Sequence, residues 1–508
     1  MPSRGKFALV ITVAMLASLL LTACPPPAAP TSTPEPPEQA TPTPKAEETP
    51  TTGIDCMGTA AGDEVTVLYQ WSGAEEEKFN AIVKPLVDAC GIKVVAQSTR
   101  DAAVLDTKAK STPPDVVFWP STAPMSLYTA QLKDLSDLGA DPANYAGYWQ
   151  TMGTTDGKWL GVPVKADIKT IIWYNPANFD LFGYAVPTTW DELDALVEQM
   201  VADGNIPWSM GMESGPATGW TGSDFIQDIM LVQQGPQYVS DLIAGKVAYN
   251  DAGVMQAYET YGKWAMDETY TVGGATGTVS TPFLEAIFKV FSDPPEAMMV
   301  KQSGFAGGEV AQQYPDLAYG TDYDFFAVPG AQGMQGGADF MMAFGDSPAA
   351  KALVAYLTGA EGAAEWAKVG FDLSPNDLAL GNYTDAALIK KAEALAGAAG
   401  FTPDIGDTIP APFGEAEWKA IVDYVNGADL AAALDAAAQA QTDALGVSVA
   451  PVIDCMGIAA GDEVTVLYQW SGAEEEKFNA IVKPLVDACG IKVVAQSTRD
   501  AAVLDTKA

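Results

Sequence analysis

Residues 54–109 recur at 453–508 with a single change, Thr59 against Ile458. Whatever this segment builds, the chain offers it twice, and one sheet has one place for it. The unit opens with a β-rich run, Val65–Trp71. Phe79, Ile82, Val83, Leu86, Val87 and Cys90 then fall at i, i+3, i+4 spacing, which predicts a helix. Ser72 suits its N-cap, Glu75–Glu77 the positive end of its dipole, and Gly91 its C′ position. Pro85 removes an amide and predicts a kink. A second apolar run, Ile92–Ala96, completes a βαβ unit. The first copy continues into a further strand pattern, Asp115–Trp119, and the second stops before it. A lone βαβ unit leaves a sheet edge uncovered and has too little core. Residues 453–508 are therefore not expected to form this architecture alone. Their abrupt halt best fits the front of a longer tandem chain. A duplicated tail that dangles or swaps between molecules, and an assembly error, are the other readings. A true tail should be protease-sensitive.

A chain of 508 residues can bury a large core and ordinarily holds two or more domains. Its formal net charge of -38 repels nucleic acid and anionic membrane surfaces. It contains no histidine, which excludes imidazole bases, Ser-His-Asp triads and histidine metal sites. No cofactor or metal is expected. At the N-terminus, Arg4 and Lys6 precede an apolar run, Phe7–Leu21, too short for an ordinary membrane span. The run ends in Leu21–Cys24, which resembles the lipobox of bacterial lipoproteins. That resemblance implies a signal peptide over 1–23, cleavage before Cys24 and acylation of Cys24. Residues 24–53 are rich in Pro and Thr and read as a disordered stalk. In an oxidising compartment the natural pairing is Cys56 with Cys90, worth roughly 3–4 kcal/mol on the chain-entropy model. Cross-pairing with Cys455 and Cys489 stays open.

Beyond the stalk, strand-like and helix-like runs alternate, which argues for an α/β sheet. Gly161–Asn175 is a long β-rich crossing segment, and Thr188–Glu192 is a capped helix start. Phe225–Val232 and Val254–Met266 read as helices, Asp324–Pro329 and Gly336–Phe344 as strands. Ser347 caps another helix, and the Ala-rich run 428–444 reads as a weakly packed terminal one.

In an open parallel sheet, ligands gather beyond the carboxyl ends of the strands. That rule selects Trp71, Arg100 with Asp101, and Trp119, each closing a predicted strand. Aromatic faces flanked by hydrogen-bonding groups suit sugars, whose rings have apolar C–H faces and polar edges. Arg100 and Asp101 can form a fork over two hydroxyls, or a plain ion pair within one lobe.

The chain resembles the extracellular solute-binding proteins of carbohydrate ABC importers, the branch that includes maltose binders. The residues that carry the likeness are Val65–Trp71, Pro114–Trp119, Ile171–Pro176, Thr188–Glu192 and Gly336–Asp339, in that order. Gly219–Met230 and Tyr249–Asp251 look like the α-glucoside-binding members. The resemblance implies a two-lobe α/β periplasmic-binding-protein fold of class II type, with sugar bound in a hinge cleft. The crossings fall near Pro163–Asp167, Val328 and Leu373. One lobe then comprises 54–165 with 329–373, the other 166–328 with 374–447. Trp119 matches a sugar-stacking aromatic, and Trp220 and Phe305 lie where cleft aromatics of the second lobe are expected. Asp167 matches an acidic ligand position at the hinge, allowing one gap. Gly336, Gly337 and Asp339 fall on the loop that closes over the sugar; Asp224 and Trp173 fit core or capping roles as well as contact.

These residues imply a lipid-anchored receptor on the outer face of the cell membrane. It captures a carbohydrate by hinge closure and hands it to an ABC permease. A glycosidase using paired carboxylates is the rival from another class. A binder of a cationic solute such as a polyamine is the third reading.

Overall fold

The computed structural model describes residues 53–99, 101–446 and 461–497. The stretch taken as signal, the Cys24 taken as lipidated, the stalk up to residue 52, and Arg100 lie outside the described residues.

The first sheet has five strands in the spatial order Lys93–Ser98, Glu64–Tyr69, Val116–Trp119, Ala338–Ala343, Val162–Ala166. The first three are parallel, as βαβ connections require, and Ala338–Ala343 is antiparallel to both neighbours. The sheet is thus mixed. A strand arriving from the other half of the molecule sits between Val116–Trp119 and the edge strand Val162–Ala166, so the parallel-sheet rule governs only one side of the sheet. Helix Ala74–Cys90 covers this sheet with Phe79, Ile82, Val83 and Leu86. It ends at Gly91, whose φ of 67° allows its amide to donate back to the Val87 carbonyl. Gly73, not Ser72, occupies the N-cap, and no side chain caps the helix. The helix runs on through Pro85. Cys56 and Cys90 form a disulfide.

The second sheet is antiparallel, with Ile171–Tyr174 between Met299–Lys301 and Asp324–Ala327. Period-two alternation divides its side chains between two cores. Ile171, Trp173, Val300 and Phe325 join the core under the first sheet, while Ile172, Tyr174, Met299 and Phe326 join the other. A strand buried on both faces reads as an unbroken apolar run, which is why Ile171–Tyr174 shows no alternation. Trp173 is therefore a core residue.

Local signals placed helices in both halves. Thr189 and Glu192 form a capping box at the start of Trp190–Ala202, and the Ser347 side chain accepts from the Ala350 amide. Helix Trp220–Gln233 is buried nearly all round, including Asp224, Gln227 and Asp228. The helix Leu430–Leu445 buries Leu434, Ala437 and Gln441. Gln441 anchors it by accepting from the Tyr249 amide and donating to the Leu242 and Val247 carbonyls.

Three chain passages join the sheets. The first runs from Ala166 to Ile171, the second from Ala327 through Met334–Gly336 to Ala338, and the third leaves Leu373 towards Phe401–Pro403. They are laced together. Ala166 and Leu373 exchange both backbone hydrogen bonds, the Lys169 amide donates to Gln335, and Met334–Gly336 pairs with Phe401–Pro403. Residues 461–497 repeat strand, helix and strand, with Glu463–Tyr468 and Lys492–Ser497 forming a two-stranded sheet. Among the described residues, no helix is long and apolar enough to cross a membrane.

Candidate functional site

A cavity of about 700 Å³ opens where the three passages meet. Pro120, Ser121 and Thr122, just past the end of Val116–Trp119, line one side. The passages supply Lys165–Ile168, Gly336–Phe340, Asp372 and Leu373. The far wall is Gly304, Phe305, Leu388, Lys391, Asp404, Asp407 and Thr408.

The close approach of two passages fixes Gly336 and Gly337. A Cβ at Gly336 would overlap the Asp167 carbonyl, and one at Gly337 would crowd its carboxylate. Only glycines let the Gly337 amide donate to Asp167 Oδ1. Burial pushes the Asp167 carboxyl up to about 6, against the pull of Lys169 and that amide.

Next to it, the ladder between Ala338–Ala343 and Val162–Ala166 shifts register between Asp339 and Phe340. Asp339 pairs with Lys165 across this irregularity, their charged atoms 3.6 Å apart. Lys165 also meets Glu75 and Asp372, each at 3.1 Å. Burial works against its ammonium, but the three carboxylates together hold its pKa above the ordinary lysine value.

A second cluster lies deeper. Lys169 contacts Asp404, Asp407 at 3.1 Å and Asp224 at 3.6 Å, and its Nζ sits 5.8 Å from the Trp220 ring. Lys301 pairs with Asp228 at 3.2 Å and Asp224 at 3.8 Å. Burial raises Asp224 well above the carboxylate range, reinforced by its neighbour Asp404. Burial acts on Asp404 as well, but Lys169 overcomes it and holds that carboxyl low. At Lys391 burial outweighs the nearby carboxylates and leaves the pKa below the ordinary lysine value, and its Nζ donates to the Gly304 carbonyl at 3.2 Å.

The residues selected from sequence divide sharply. Asp167, Phe305, Gly336, Gly337 and Asp339 all line the cavity, and Phe305 is 42% exposed. Trp220 is half-buried and packs against Phe305, ring centroids 6.5 Å apart. Asp224 is sealed in the ion cluster and does not line the cavity. Trp71 is buried among Tyr69, Phe79, Phe118, Trp366 and Phe371, so no face is left for a ligand. Its Nε1 instead donates to Asp339 Oδ2 at 2.8 Å. Trp119 is likewise buried in the core, and the cavity wall begins one residue later. Asp101 is the N-cap of helix Ala102–Ser111, accepting from the Ala103 amide, and lies off the cavity.

Sequence reasoning missed Lys165, Lys391, Asp372, Asp404 and Asp407. A lysine inside the apolar strand Val162–Ala166 was a usable signal for Lys165. Nothing local marks the acids, which arrive from distant segments.

Comparison with known proteins agrees with this geometry. Residues 72–364 match the family described as bacterial extracellular solute-binding protein. The osmoprotective compounds-binding protein GgtB of Synechocystis sp. is 31% identical over 399 residues, spanning 74% of this chain and 92% of the relative. The alpha-glucosides-binding periplasmic protein AglE of Rhizobium meliloti is 31% identical over 404 residues, spanning 74% and 87%. Among solved structures, the bacterial solute receptor AcbH superposes with a TM-score of 0.65 at 19% identity, covering 76% of this chain and all of that one. RafE from Streptococcus pneumoniae superposes at 0.61 and 17% identity, covering 76% and 99%. The likeness to these two structures is one of fold, the two-lobed periplasmic-binding architecture with its cleft at the crossings. By its sequence profile, its full-length relatives and its fold, the chain belongs to the bacterial extracellular solute-binding proteins.

Proposed function

We propose that this protein captures a neutral polyhydroxylated solute, an α-glucoside or another short oligosaccharide, and passes it to an ABC permease. The lobes are residues 54–165 with 329–373 and residues 166–328 with 374–447, and closure about the three passages brings both walls onto the sugar. Acylated Cys24 and the Pro/Thr-rich stalk hold the receptor at the outer face of the membrane.

The observation that carries this reading is the composition of the cavity wall. Phe305 offers an apolar face, and Asp167, Asp339, Asp404, Lys165 and Lys391 supply donors and acceptors around it. Asp339 and Asp372 share Lys165, and Asp404 and Asp407 share Lys169. Acids already matched by ammonium groups suit hydroxyls better than a polyamine. The relative named for α-glucosides supports this solute class.

Calorimetry with maltose, trehalose, sucrose, a β-glucoside and spermidine tests the reading. A micromolar constant for one of the α-glucosides, about -8 kcal/mol, is the expected result. Binding of spermidine alone, or turnover of an aryl α-glucoside, would overturn it.

A further inference from the structure

Two lysines line the cavity, and their surroundings differ. Lys165 is shared by Glu75, Asp339 and Asp372, so the protein's own carboxylates already match its ammonium. Lys390, on helix Ala386–Ala396, is likewise matched, by Asp324 at 2.7 Å. Lys391 follows it on that helix and has no carboxylate within ion-pair distance among the described residues. Its Nζ donates instead to a backbone carbonyl, that of Gly304, at 3.2 Å. The carbonyl takes one of the ammonium's donors and leaves the others for a partner. Burial outweighs the more distant Asp372, Asp385 and Asp167 and lowers the pKa, so the cation is held at a cost. Leu388, three residues earlier, also lines the cavity, so this face of the helix points into it.

Gly304 makes the placement possible. A Cβ there would come within 3.2 Å of Lys391 Cδ, so the bare backbone gives the lysine stem a seat. Gly304 directly precedes Phe305, the exposed aromatic of the same wall. The ammonium is thereby fixed one peptide unit from the residue that offers an apolar face. An aromatic face takes the C–H side of a sugar ring, and a donor beside it meets the hydroxyls at the rim.

We propose that Lys391 is a specificity-determining residue of this receptor, seated on Gly304 to donate to a rim hydroxyl of the sugar that stacks on Phe305. The assignment rests on the sugar reading above and adds which cation reads the solute. Lys165 is tied to the protein's own acids, and Lys391 is kept for the ligand. Five aspartates line the cavity against two lysines, so the group that meets Lys391 is a neutral hydroxyl and not a ligand carboxylate.

Calorimetry with maltose, trehalose and sucrose, then with the monodeoxy derivatives of the one bound most tightly, tests this. Lys391→Met keeps most of the stem and removes the donor. It should weaken binding of that sugar about tenfold or more, the loss of a hydrogen bond from a charged donor. One monodeoxy derivative should bind the parent and Lys391→Met equally, because it lacks the hydroxyl that Lys391 meets. Undiminished affinity in Lys391→Met would overturn the assignment. So would the same fold-loss for every derivative, since a lysine that only supports the wall shifts them all alike. Gly304→Ala reads the seat separately: it should weaken binding in the parent and weaken Lys391→Ala no further. Equal losses in both backgrounds would overturn the role of the seat. A parent that binds none of the three sugars would overturn the sugar reading itself and this assignment with it.

Discussion

The indole Nε1 of Trp71 donates to Asp339 Oδ2 at 2.8 Å, joining residues 268 positions apart. The bond ties the end of the first strand to the bulged start of a strand that arrives from the other half of the molecule. An aromatic that reads as a ligand platform is in fact a strut beneath a cavity carboxylate.

Replacing Trp71 by Phe keeps the buried ring and removes this donor. The expected loss is about 1–3 kcal/mol of stability, the cost of a buried acceptor deprived of its partner. Urea denaturation measures it, and an unchanged midpoint would mean water replaces the indole.

Phe305 is the exposed aromatic of the cavity wall. Phe305→Ala should weaken solute binding about tenfold, the loss of one stacking contact, while the melting temperature stays put. Equal affinity in titration calorimetry would remove Phe305 from the site.

Lys169 holds together three carboxylates. Lys169→Met leaves Asp224 and Asp404 buried without their common cation, and should cost about 3–5 kcal/mol. A loss below about 1 kcal/mol in denaturant titration would show that the acids relax to solvent or take up protons cheaply.

The pH dependence follows from acids that burial has raised. Asp167 and Asp228 sit at about 6 and Glu417 at about 7. A carboxyl raised on folding binds its proton more tightly in the native state, so stability falls as pH rises through the folded value. The penalty is fully present above about pH 8 and relieved as these groups protonate on acidification. The melting temperature should therefore climb from pH 8 towards pH 5. Asp167→Asn, which keeps an acceptor for the Gly337 amide, should flatten the part of that slope below pH 7. A melting curve series with the same slope for both proteins would refute the assignment to Asp167.

Trp119 and Asp101 show why the site was only half legible. Both close or follow a strand, where a ligand edge is expected, yet Asp101 satisfies the nearest free amide and Trp119 turns into the core. A sequence marks a strand end; it does not say which distant helix packs over it. Gly336, Gly337 and Asp167 came from the family resemblance, and it is the structure that places them at a close backbone approach. Their partner Lys169 and its acids were not legible, because charge pairing across 235 residues leaves no local pattern.

Sequence alone determined the elements: the capping box at Thr189, the cap at Ser347, the C-terminal stop at Gly91, the βαβ repeat and the unbroken strand Ile171–Tyr174. Each depends on hydrogen bonds or periodicity within a few residues. Tertiary structure decided which aromatics face solvent and which acids meet which lysines. Those outcomes depend on segments hundreds of residues away.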